Sequence, residues 1–136
     1  MTLKLFHLSE KNLDNKILVP KIPKNYLTKN NLEDNKTKRI CFSETINWAL
    51  IALSKNLENK ELYVHTPKIN KETKIIQPNK LQIPDIEHTK EIWILNEIKL
   101  NKEFKIKVKK TKEKSLKYKL NNKTIEIFDW TWEKIN

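Results

Sequence analysis

Hydrophobic positions change period along this chain, and the changes mark out its elements. Between Lys38 and Ser43 apolar and polar residues alternate: Ile40 and Phe42 fall on one side, Arg39, Cys41 and Ser43 on the other. A period of two predicts a short strand. From Glu44 the period lengthens. Ile46, Ala49, Leu50 and Leu53 form an i, i+3, i+4, i+7 stripe, and Trp48, Ile51 and Ala52 widen it almost all round. The expectation is a helix from Glu44 to about Ser54, buried rather than laid on a surface. Ser43 is placed to cap it, with Glu44 at the positive end of its dipole.

Other strands are expected on both sides of this corner. Thr2 to Leu8 reads as a first strand, with His7 at its end and Ser9 just after it. Glu61 to Thr66 is a strand ended by Pro67, and Lys74 to Gln77 a short one ended by Pro78. Glu91 to Leu100 has the strongest alternation, with Ile92, Ile94, Asn96 and Ile98 facing one way. Phe104 to Lys109 alternates apolar residues with lysine, so one face is buried and the other is a lysine ladder. Ser115 to Leu120, a turn at Asn121-Asn122 and Thr124 to Trp132 read as a hairpin. Residues 10 to 38 are expected to be largely irregular, because Pro20 and Pro23 block a helix. Their polar second half, residues 25 to 38, is a long loop of the kind that carries function. Together these elements predict one α+β domain over residues 1–136, a mostly antiparallel sheet around one buried helix.

Composition removes several function classes. The chain has no glycine. It therefore holds no P-loop, no dinucleotide-binding glycine fingerprint and no Gly-x-Ser-x-Gly nucleophile elbow. Its turns must use Asn, Asp and Pro, as at Asn30-Asn31, Asp34-Asn35 and Asn121-Asn122. No apolar run is long enough for a membrane span. The first residues turn polar too soon for a signal peptide. The single Cys41 fits a reducing, cytoplasmic setting. Net charge is +11, from 28 basic residues that are all lysine except Arg39. The charge admits two explanations. One is a nucleic-acid surface; the other is lysine supplied by AT-rich coding and left as a solvated face. An arginine kept among so many lysines points to a need for its planar, bidentate fork.

The candidate chemistry sits on few residues. His7 and Ser9, at the end of an apolar strand, could hydrogen-bond a ribose; a satisfied structural histidine is the plainer reading. His7, His65 and His88 lack zinc-site spacing. Cys41 shares a side with Arg39 and reads as a small core filler. Glu91 and Glu97 would lie about 20 Å apart at strand rise, too far to act as a pair. Trp130 and Trp132 either cover an open sheet face or stack on bases.

Taken together, His7-Leu8-Ser9, then Arg39-Ile40-Cys41-Phe42-Ser43 leading into the helix, then Glu91 in Thr89-Lys90-Glu91-Ile92-Trp93, resemble the ADP-ribosyltransferase-like fold. That group includes small phage anti-CRISPR ADP-ribosyltransferases, DNA-modifying toxins and RNA 2′-phosphotransferases. The resemblance implies a protein acting on NAD or an NAD-derived nucleotide, in a phage or mobile-element setting and in a counter-defence role. His7 and Ser9 would hold a ribose, Arg39 a phosphate, and Ser43 and Tyr63 would complete the cofactor site. Glu91 would stabilise the oxocarbenium-like ribose as nicotinamide leaves. The family's Ser-Thr-Ser run and Glu-x-Glu pair are absent. The rival reading is a non-catalytic basic protein that occupies nucleic acid or inhibits a nucleic-acid-handling host complex.

Overall fold

A computed structural model describes residues 4–24, 34–53, 56–79, 90–111, 116–120, 123–127 and 130–135. The strands are β1 (His7–Ser9), β2 (Ile17–Leu18), β3 (Ile40–Ser43), β4 (Glu61–Pro67), β5 (Ile75–Ile76), β6 (Glu91–Ile94), β7 (Ile98–Thr111), β8 (Leu116–Leu120), β9 (Lys123–Ile127) and β10 (Trp130–Ile135), with helix α1 (Ile46–Leu53) between β3 and β4. Every pairing among them is antiparallel. The expected class, α+β with mostly antiparallel sheet, is what these residues form. One sheet runs β1-β4-β7-β10 with β2 also on β7; a second runs β3-β6-β5; β8 and β9 make a hairpin.

The 14-residue β7 joins most of this. Its even positions Ile98, Leu100, Phe104, Ile106 and Val108 are apolar, yet they serve two separate clusters. Ile106 and Val108 pack with Leu8, Leu62, Val64 and the helix residues Ile46, Ala49 and Leu50. Ile98 and Leu100 pack with Leu5, Ile40, Phe42, Ile92 and Ile94 from the other sheet. A register shift separates the two halves: Val64 pairs with Phe104, but His65 pairs with Lys102. Glu103 is the extra residue. Adjacent residues on β4 face opposite sides, so the shift carries the even face of β7 from one side of β4 to the other. The irregularity is pinned. Thr66 Oγ1 donates to Glu103 at 2.5 Å, and Asp14 Oδ1 accepts the Lys102 N–H at 2.8 Å.

The helix is shorter and less enclosed than its pattern predicts. It spans Ile46–Leu53, with Ile46, Ala49 and Leu50 buried but Ala52 and Leu53 exposed. Leu50 is fully buried. The widened stripe reflects propensity for the interior, but the sheet covers only one side. The N-cap is Thr45, whose Oγ1 accepts the Trp48 N–H at 3.1 Å. Ser43 stays in β3, pairing with Glu91. His7 opens β1 instead of ending a strand, because pairing with β4 starts at the His7–His65 register. The expected strand from Glu91 to Leu100 breaks at residues 95–97, where Asn96 turns to accept the Lys74 N–H. Residues 10 to 38 do contribute β2, held on the start of β7. Without glycine, left-handed backbone falls to Asn15 (φ 61°), Asn59 (φ 64°) and Lys90 (φ 53°). Asp34 organises a bend by accepting the Lys36 and Thr37 N–H groups at 2.8 Å. The expected turns at Asn30-Asn31 and Asn121-Asn122, most of the 25–38 loop, and His88 lie outside the described residues.

Leu50 tests the helix directly. Leu50→Ala is expected to lower unfolding free energy by about 2–5 kcal/mol in urea melts, with little change in m-value. A loss below about 1 kcal/mol would place the helix outside the core.

Candidate functional site

The six residues that the sequence singles out occupy two places. Arg39, Ser43 and Glu91 lie on one side of the β3–β6 ladder, where Ser43 faces Glu91 and Cys41 faces Trp93. The Glu91 carboxylate and the Arg39 guanidinium both act electrostatically on the Cys41 thiol. Burial pushes the thiol pKa well up, and the Glu91 charge pushes it further. Cys41 is therefore a protonated thiol at neutral pH, not a nucleophile.

Arg39 is committed to its own surroundings. Its side chain is 1% exposed. Its guanidinium carbon lies 4.1 Å from the Trp93 ring centre. Nη1 donates to the Asp34 and Thr37 carbonyl oxygens at 2.8 and 2.9 Å and stands 3.8 Å from the Asp34 carboxylate. Burial works against ionised Asp34, but hydrogen bonds from Thr37 and Lys36, together with Arg39, outweigh it and hold its pKa at about 2. The lone arginine is in use within the chain, through Nη1 and through its face on Trp93. It fastens the 34–38 segment over Trp93.

His7, Ser9 and Tyr63 sit apart from this row. The bridge between Phe6 and Ser43 sets His7 across from Phe42, and the two rings lie 5.8 Å apart. His7 thus shares the Phe42 side of β3, whereas Arg39 and Cys41 alternate to the other. The groups meet at the edge of β3. There an open cavity of about 360 Å³ is lined by His7, Leu18, Val19, Arg39, Ile40 and Cys41, among others. Ser9 Oγ accepts the Lys11 N–H at 3.0 Å, and Ser9 pairs with Tyr63.

The two histidines on this side are neutral. His65 is fully buried; its Nε2 accepts the Leu13 N–H at 2.9 Å, so Nδ1 carries the proton and donates to the His7 carbonyl at 3.2 Å. It is the satisfied structural histidine, and it ties the 10–16 segment to β1. The His7 ring stands 6.1 Å from it. Burial, and then His65, pushes the His7 pKa down to about 4.

Tyr63 is different in its surroundings. It is half-buried, with Ser9 on one side and Lys105 on the other. The ammonium groups of Lys105 and Lys102 lie 5.0 and 5.9 Å from its ring centre. Lys107 and Lys109 continue the ladder along β7. The ladder is partly neutralised: Lys105 meets Glu61 at 3.0 Å and Lys109 meets Glu133 at 2.9 Å. The alternation of residues 104–109 exposed the ladder to sequence reasoning. That Tyr63 stands opposite Lys105 needed the register, so this grouping was missed. Trp130 and Trp132 take the covering role. Both pack against the helix-side core, and Trp132 Nε1 donates to Asn47 at 2.7 Å.

Among the described residues no group of three or more His, Cys, Asp or Glu is placed to hold a metal ion, and no helix is long and apolar enough to cross a membrane. Comparison with protein-family models, curated proteins and solved structures finds no match to this chain.

The imidazoles impose a pH dependence of known sign. They are neutral when folded but charge readily when unfolded, so unfolding takes up protons. The contribution is complete above 6.5, the ordinary histidine value, and is lost as pH falls toward about 4. Urea melts should show stability lower by on the order of 2 kcal/mol at the acidic end of that window, and His7→Gln should flatten the trend. Equal stability at both ends would contradict the neutral pair. Arg39→Lys keeps the charge but loses the planar stack and the paired carbonyl bonds. It should destabilise the fold by about 1–3 kcal/mol in the same assay, and an unchanged melt would remove the fastening role.

Proposed function

We propose that this chain is a non-catalytic basic binding protein that occupies nucleic acid through the β4–β7 face around Tyr63. One observation carries the reading: a half-buried tyrosine, Tyr63, and a run of lysines, Lys102, Lys105, Lys107 and Lys109, share a sheet face on a protein of net charge +11. Lysines on a rigid strand present charge at fixed spacing, which suits a polyanion. The residues expected to do chemistry favour this choice. The arginine is engaged, and the Glu91 carboxylate lies beside the protonated core thiol of Cys41.

A second reading rests on the cavity at the β3 edge. Its lining by His7, Arg39 and Cys41 supports a site for NAD or a related nucleotide in an ADP-ribosyltransferase-like protein. There His7 would meet a ribose, and Arg39 would exchange the Asp34 and Thr37 oxygens for a phosphate. Ser9, Ser43 and Tyr63 have no place in that lining, and Glu91 would have to leave Cys41 to reach a ribose.

Salt titration of binding tests the first reading. Four lysine–phosphate contacts on duplex DNA give a log–log slope of about −3 to −4. Glu61→Gln with Glu133→Gln frees two of those lysines and should tighten binding about 3-fold or more. No binding at low salt would overturn the nucleic-acid reading. Release of nicotinamide on incubation with NAD would instead establish the second.

A further inference from the structure

The face around Tyr63 has a feature that a purely electrostatic surface does not need. Tyr63 stands mid-strand with Ser9 and Lys105 as its neighbours in register. Small Ser9 leaves one flank of the ring low. The Lys105 and Lys102 ammonium groups lie over the ring, three residues apart on β7, so a base that stacks there must take their place and send them to its flanking phosphates. That separation is about 10 Å at strand rise, less where the register shift shortens it. The ring is backed by buried structure: its neighbour His65 is fully buried with a ring centroid 6.4 Å away, and the next residue, Val64, is fully buried in the helix-side core. An aromatic held this way loses little freedom when something stacks on it.

We infer that the Tyr63 face selects single-stranded nucleic acid, with a base stacked on the Tyr63 ring and the flanking phosphates held by Lys102 and Lys105. This rests on the nucleic-acid reading above and narrows its ligand. The reasoning is geometric. In a duplex the bases are stacked on each other and show a protein only their edges. A tyrosine rising from a sheet can then offer nothing beyond contact with the backbone. In a single strand each base has a free π-face, and a stack on tyrosine is tolerant of sequence. The lysines supply charge without a planar fork, as a surface that tracks a backbone requires. Glu61 lies two residues before Tyr63 and holds Lys105 at 3.0 Å. Phosphate must displace that carboxylate, so Glu61 sets a threshold for the anion that enters.

The test uses the full chain and fluorescence anisotropy with labelled oligo(dT) of about 12 nucleotides and a duplex of the same length, a span within the usual single-strand site sizes. Wild type should prefer the single strand. Tyr63→Ala should weaken single-strand binding about 10-fold or more, and by a clearly smaller factor on duplex. Tyr63→Phe keeps the π-face and should retain most of the affinity. Thermal melts of both variants exclude misfolding as the cause, and the Phe variant carries the test if the Ala variant melts early: retained binding supports the stack, whereas a 10-fold loss points to the hydroxyl and overturns it. Equal losses of Tyr63→Ala on the two ligands would overturn the inference while leaving the basic-surface reading intact. Wild type that binds neither ligand at low salt would overturn the reading on which the inference rests.

Discussion

One register shift organises this molecule. At Glu103, β7 gains a residue relative to β4, and the even face of a single strand passes from one side of its partner to the other. That is how Ile106 and Val108 can close on the helix while Ile98 and Leu100 close on the β3–β6 sheet. An unshifted β7 would commit its whole apolar face to one side and leave the other sheet without a partner. The polar contacts at the shift are accordingly specific. The Thr66 and Glu103 side chains meet, and Asp14 takes the Lys102 amide, so that backbone donor is satisfied at the shift.

The same shift arranges the candidate site. It puts Lys102 opposite His65 and keeps Lys105 opposite Tyr63, so two lysines converge on one ring. It also brings the Asp14 segment across, and with it the Leu13 amide that settles the His65 tautomer. The pair His7 and His65 is therefore part of the scaffold beneath the Tyr63 face. The Arg39 row belongs to a different surface. There an arginine, a tryptophan and a thiol are fitted together, and the arginine anchors a chain segment.

How much of this was legible beforehand follows from which forces act locally. Alternation in Ile40–Phe42, Leu62–Val64 and Phe104–Val108 reports burial of one strand face, and those strands are present. Leu50 was recognisable as core from its helical stripe. The cap was misplaced by two residues because Ser43 and Thr45 are chemically equal as caps, and only the pairing of Ser43 with Glu91 decides between them. The unbroken strand through Leu95–Glu97 was misread since alternation continues through a bend that Asn96 makes by accepting a distant amide. Grouping His7, Arg39 and Glu91 followed a family resemblance. Their actual sides depend on the Phe6–Ser43 bridge, a long-range pairing with no local sequence signal. Tyr63 was named as part of a cofactor site, and its lysine neighbours come into view only with the register.

The central claim is that binding occurs on the β4–β7 face and not at the β3 edge. A backbone amide NMR titration of the full chain with a short oligonucleotide separates them in one measurement. The account predicts that shift changes concentrate on Ser9, Tyr63, Lys102, Lys105 and their strand neighbours. Changes centred on Leu18, Val19, Arg39 and Cys41, with the Tyr63 region silent, would contradict it.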